Sequence, residues 1–158
     1  MDQVSRLAPW YVTGLIEARG SFVCDSSPRS VAVSFELALP GRDQPLLAQL
    51  RASLGGVGRL HRRSATGPAV WRITRRLELL RLVEHLESFP FQGARAAAIA
   101  PWAALVRQRA ASFRRPLPPE AWDLAAQVRA AQPRRRGRHA RRSQGKSDAA
   151  VDERPGGP

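Results

Sequence analysis

Ten consecutive residues, "SVAVSFELAL" (30–39), alternate in hydrophobicity at every step. Val31, Val33, Phe35, Leu37 and Leu39 fall on one face of an extended chain, and Ala32, Ser34, Glu36 and Ala38 on the other. A period of two marks a half-buried strand, with one face on a core and the other open. The preceding "SFVCDSS" (21–27) is short and β-like, and the two pair as a hairpin across "SSPRS". A second hairpin is expected from "VGRLHRRS" (57–64) and "PAVWRITR" (68–75), joined by "ATG".

Helical periods surround these hairpins. "RLAPWYVTGLIEAR" (6–19) spaces Leu7, Trp10, Tyr11, Leu15 and Ile16 for a helix. A second helix is expected over 44–54, capped by Asp43, with Pro45 in its first turn and Gly55 closing it. A third covers 77–89 and stops before Pro90. A fourth covers 93–110 with a kink at Pro101, and a fifth covers 118–132. The order α-ββ-α-ββ-α, followed by C-terminal helices, is an α+β fold with one curved four-stranded antiparallel sheet and helices on one side.

Residues 1–131 make one folded domain, and 132–158 are a different material. That tail, "QPRRRGRHARRSQGKSDAAVDERPGGP", has no aromatic residue and a net charge of +5. It cannot bury enough surface to offset its ordering entropy and reads as a disordered basic tail. The whole chain of 158 residues carries +13. Such a balance points to a polyanion, nucleic acid first. The single cysteine, Cys24, excludes an internal disulfide and a Cys-rich zinc site. No apolar run approaches a membrane span and "MDQVSRLAPW" lacks a signal-peptide pattern, so no membrane partner and a cytoplasmic location are expected.

If Trp71 and Ile73 face the helices, the open side of the second hairpin collects Arg59, His61, Arg63, Arg72 and Thr74. The first hairpin adds Val23, Asp25, Ser34 and Glu36. A β-ribbon with such side chains suits a DNA major groove, where arginine reads guanine edges. Alternation alone also allows an ordinary solvated face, and the charge of the chain tilts the balance towards DNA.

Residues 12–20, "VTGLIEARG", resemble the LAGLIDADG motif of the homing endonucleases. Gly14, Leu15, Ile16, Ala18 and Gly20 match identically, and Glu17 stands conservatively for the first Asp. Residues 31–60, "WRIT" (71–74) and "LLRLVEHLESFPF" (79–91) resemble the elements that follow in that family, so the likeness spans about 7–131. It implies binding of double-stranded DNA. It also implies that a chain with one motif pairs as a homodimer, its motif helices packed through Thr13, Gly14 and Glu17. A glycine inside a helix costs about 1 kcal/mol against alanine, and close backbone approach is its natural reason.

The pattern breaks at Arg19. The resemblance places there the Asp or Glu that holds a divalent cation, usually Mg²⁺, between two modules. A guanidinium has donors alone and cannot ligate a hard cation. Glu17 lies two residues earlier, about 200° around the helix. Leu39 takes the place of a water-organising polar residue, and Arg95 matches a basic residue near the start of the fourth helix. Arg19 could pair with a DNA phosphate or cap the C-terminal end of its helix. The expectation is a DNA-binding homodimer that does not cut and needs no cofactor. The alternatives are an active Mg²⁺-dependent endonuclease that recruits Glu17 or pairs with an intact partner, with Arg95 as a residual site residue, and an RNA-binding splicing helper. His61, His85 and His139 show no metal-ligand spacing, and the tryptophans read as core anchors, with Trp10 able to pack at a dimer seam.

Overall fold

A computed structural model describes residues 6–132, so the tail expected from 132 onward lies, except for Gln132, outside the described residues. The chain forms α1 (Pro9–Arg19), β1 (Gly20–Ser27), β2 (Ser30–Leu39), a 3₁₀ turn (Gly41–Asp43) and α2 (Gln44–Ser53). It continues with β3 (Arg59–Arg62), β4 (Ala69–Ile73), α3 (Arg76–Ser88), a second 3₁₀ turn (Ala94–Ala98), α4 (Ile99–Ala111) and α5 (Glu120–Ala131). The strands form one antiparallel sheet in the order β1-β2-β4-β3. This is the expected α+β architecture.

The alternating strand lies in the middle of that sheet. Val31, Val33, Phe35, Leu37 and Leu39 are all buried. Phe35 packs against Phe22 and Trp71, with ring centroids 5.3 and 5.4 Å apart. Phe22 continues the cluster to Trp102 at 4.9 Å and Phe91 at 5.8 Å, which ties the sheet to the helical layer. Trp71 and Trp102 are the expected core anchors, whereas Trp10 is 54% exposed. Trp122 is half-buried and donates its indole N–H to the Ser27 carbonyl at 2.8 Å. Cys24 is a buried core residue, and burial pushes its thiol pKa up.

Several boundaries differ from expectation. α1 begins at Pro9, not residue 6, because proline is suited to the first helical position. Leu7 stays outside the helix and donates its N–H to Ser53 Oγ at 3.0 Å. Asp43 precedes α2 but makes no side-chain cap; a 3₁₀ turn leads into the helix instead. At the other end Gly55, at φ 79°, closes α2 as expected. Its N–H bonds Ala52 O and that of Gly56 bonds Arg51 O, the paired closure that left-handed glycine permits. The expected kinked fourth helix is two pieces, and Pro101 sits in the first turn of α4, where its missing N–H costs nothing. Among the described residues no helix is long and apolar enough to cross a membrane.

Candidate nucleic-acid interface

Strand register decides which side chains share the face away from the helices. One row across the sheet runs Ser21, Glu36, Arg72 and Arg59. A second runs Ala38, Val70 and His61, and Val23 stands opposite Ser34. Asp25, Arg59, His61, Arg63, Arg72 and Thr74 are exposed, while Val23 and Glu36 are half-buried. Arg63 donates to Glu36 and holds its carboxylate. The side chains of Arg59 and Arg72 form no hydrogen bond or ion pair among the described residues. Ser34 departs from expectation: it shares the face by register but is 7% exposed. The start of α3 returns beside it, and Ser34 lines a cavity there together with Arg72, Thr74 and Arg75.

At the edge of this face α1 ends. Gly20 is extended (φ −67°, ψ 150°), so its value is space rather than an unusual backbone. A Cβ there would lie 2.5 Å from Ile16 O and 2.7 Å from Phe35 Cε2, so any side chain would push α1 off the sheet. The Glu17 carboxylate turns away from Arg19. It accepts from Gly93 N at 2.7 Å and from Gln92 N at 3.3 Å, satisfying the free N–H groups at the second 3₁₀ turn. Arg95 donates to the carbonyls of Glu17 and Gly20, so the backbone oxygens beside the motif's end are also engaged. Arg19 is exposed and its side chain forms no hydrogen bond or ion pair among the described residues.

The outer side of α1 is open. A Cβ on Gly14 would meet nothing within 4 Å. Tyr11 (50% exposed), Gly14 and Ala18 stand at i, i+3 and i+7 on this side, a continuous helical stripe. Trp10 flanks it, with its ring edge-on to Phe89 at 5.3 Å. Thr13, expected on the dimer seam, is 2% exposed. Its hydroxyl donates to Phe89 O at 2.8 Å, leaving Oγ1 to accept from His85 Nε2 at 3.1 Å. It joins α1 to α3 within the subunit, and Glu17 is likewise committed internally.

His85 supplies a test of that junction. Burial lowers its pKa below the usual 6.5, opposed by a hydrogen bond to the Pro9 backbone. Between the folded value and 6.5 the unfolded chain binds more protons, so stability falls as pH drops through that window and levels off below the folded value. Urea melts from pH 7.5 to 5 should show that loss, and His85→Gln should flatten it (range chosen about the histidine pKa, about 6.5). An unchanged slope in the variant would refute the assignment.

The sheet-face reading missed Arg75, Arg76 and Arg109, which line the cavity beside Arg72. "TRR" at the switch from strand to helix was a signal for the first two; Arg109, far along the chain, had none.

The family model described as LAGLIDADG endonuclease matches residues 12–106. A "Probable intron-encoded endonuclease 3" of Neurospora crassa is 32% identical over 99 residues, covering 58% of this chain and 19% of the relative. The chain thus spans about a fifth of that protein's length. Among solved structures, the meganuclease I-AabMI bound to uncleaved DNA superposes with a TM-score of 0.61 at 24% identity, covering 66% of this chain and 38% of the other. I-SmaMI bound to cleaved DNA gives 0.66 at 19% identity, covering 80% and 44%. The homing endonuclease I-TnaI gives 0.60 at 17% identity, covering 81% of this chain and 100% of the other.

Proposed function

Because the chain belongs to the LAGLIDADG endonuclease family, we propose that it binds duplex DNA as a pair of identical modules and does not cut it. The family's endonucleases usually depend on a metal. The residues here do not fit a hard divalent cation: Arg19 occupies the position of the ligating acid, and the Glu17 carboxylate is held by two backbone N–H groups. Among the described residues no three His, Cys, Asp or Glu side chains cluster. The observation that carries the reading is Arg19, exposed and without a partner of its own where two motif helices would bring DNA phosphates close.

Geometry and charge support DNA as the ligand. The ten residues of β2 extend about 33 Å, close to one turn of duplex. The face it carries presents unpaired Arg59 and Arg72, suited to groove edges or phosphates. Pairing is supported by the open Gly14 stripe, and by coverage of 38% and 44% of the two DNA-bound meganuclease chains against all of I-TnaI.

A fluorescent duplex titrated at two salt concentrations tests the binding. With about three phosphate contacts from each of two modules, affinity should fall about a thousandfold between about 50 and about 200 mM salt. Affinity that ignores salt would refute phosphate contact by the arginines.

A further inference from the structure

A cavity of about 690 Å³ lies where the outer sheet face meets the start of α3 and the end of α4. Arg72 and Arg75 enter it from the sheet side, Arg76 from the first turn of α3 and Arg109 from the last turn of α4. A second cavity of about 290 Å³ shares Arg72, Thr74, Arg75 and Glu78 with it and adds Arg59 and His61. Together they make one cationic trough across the sheet.

Two carboxylates line the larger cavity, Asp25 and Glu78. Glu78 is committed: one oxygen accepts from Gly58 N at 3.1 Å and the other meets Arg75 at 3.5 Å. The side chains of Arg72 and Arg109 form no hydrogen bond or ion pair among the described residues. Arg76 is fixed differently. Its guanidinium lies 3.9 Å from the centre of the Phe113 ring, and Arg114 approaches the same ring at 5.1 Å. An aromatic plate holds a guanidinium in place without neutralising it, unlike a carboxylate. Arg76 Nε is buried and has no acceptor among the described residues.

We propose that the Arg75–Arg76–Arg109 end of this trough is a phosphate site that grips the DNA backbone beyond the stretch covered by the sheet. The proposal rests on the DNA-binding reading above. Continuity favours a polymer over a free anion, since Arg72 belongs both to the sheet row and to the cavity.

The test compares a duplex of about two helical turns with one longer by about one turn at each end, measuring log K against log salt by fluorescence anisotropy. Arg76→Gln/Arg109→Gln removes two charges at the cavity. Arg81→Gln/Arg107→Gln removes two on the helical layer, where Arg81 and Arg107 face Glu84 and Glu87. On the long duplex the cavity variant should have a slope shallower by about 3 to 4 units for the dimer, whereas the short duplex and the control should differ little from wild type. Arg109→Gln alone, which disturbs no ring contact, should change the slope by about 2 and keeps the test valid if the double variant fails to fold. Wild-type slopes for both cavity variants on the long duplex, with normal binding of the short one, would overturn the phosphate site and leave the sheet interface standing. Salt-independent or absent binding of wild type to both duplexes would overturn the DNA reading and the site together. At matched ionic strength inorganic phosphate and chloride should compete equally. Selective displacement by phosphate from wild type would make this a small-anion site and overturn the proposal.

Discussion

Replacing Gly14 by leucine is expected to leave a folded subunit, slightly more stable than wild type, that no longer pairs. The two effects have opposite signs because they have different causes. Within the subunit a Cβ at position 14 meets nothing within 4 Å. Removing a glycine from a helix interior then favours the helix by about 0.5–1 kcal/mol. Across a pair of motif helices the same side chain intrudes where backbones are to approach, flanked by Tyr11 and Ala18. A loss of at least about a hundredfold in dimer affinity corresponds to about 2.7 kcal/mol, within the range that overpacking of a close contact costs. Sedimentation velocity over a concentration series reads the pairing, and urea melts of the monomer read the stability. Gly14→Ala separates the terms: the monomer should gain as much while pairing weakens less. Wild type that stays monomeric at tens of micromolar (a weak-interface threshold of about 6 kcal/mol), both free and on DNA, would overturn the paired arrangement.

Periodicity identified faces well and neighbours poorly. β2 runs over Ser30–Leu39 as its alternation required, because a one-residue slip would have turned Phe35 and Leu37 out of the core. The same alternation put Ser34 on the outer face, correctly, and so in solvent, incorrectly. Its burial comes from α3, whose start returns beside it about forty positions later in the chain. Thr13 illustrates the same gap. Its place on α1 was legible, but its bond to Phe89 O spans 76 positions and no local pattern announces it. The alanine-rich 94–98 segment satisfied any helical template, whereas its 3₁₀ form comes with Glu17 accepting from Gly93 N at its entry. The motif itself was legible because its glycines have physical work to do: Gly20 fits against Phe35, and Gly14 leaves a clear strip. What the sequence could not show was that both polar neighbours of Arg19, Glu17 and Arg95, are engaged with backbone within the subunit.

That engagement bears on the second large effect: wild-type protein with Mg²⁺ or Mn²⁺ is expected to leave intact a duplex that it binds. Hydrolysis assisted by a cation requires oxygen ligands that hold it against the scissile phosphate. Arg19 offers donors, and two such residues at the centre of a pair would repel the ion. Arg19 is exposed, so Arg19→Asp should fold normally while exchanging two guanidinium groups for two carboxylates in the dimer. Three changes should follow. DNA binding without metal should weaken, and its salt slope should become shallower by about 2 units as a phosphate contact is lost from each module. Mg²⁺ added at constant ionic strength should strengthen binding by the variant and not by wild type, because adjacent carboxylates need a cation to relieve their repulsion. Cleavage should remain absent or become weak, since Leu39 is buried at 6% exposure and supplies no polar group, and the loss of supporting polar groups costs metal sites about tenfold or more. The assay places wild type, Arg19→Ala and Arg19→Asp on one duplex selected by binding, with metal and with chelator. Chelator-sensitive cutting by wild type would overturn the non-cleaving reading. If Arg19→Ala then lost that activity while keeping its affinity, the guanidinium would be acting on the reacting phosphate rather than holding the DNA.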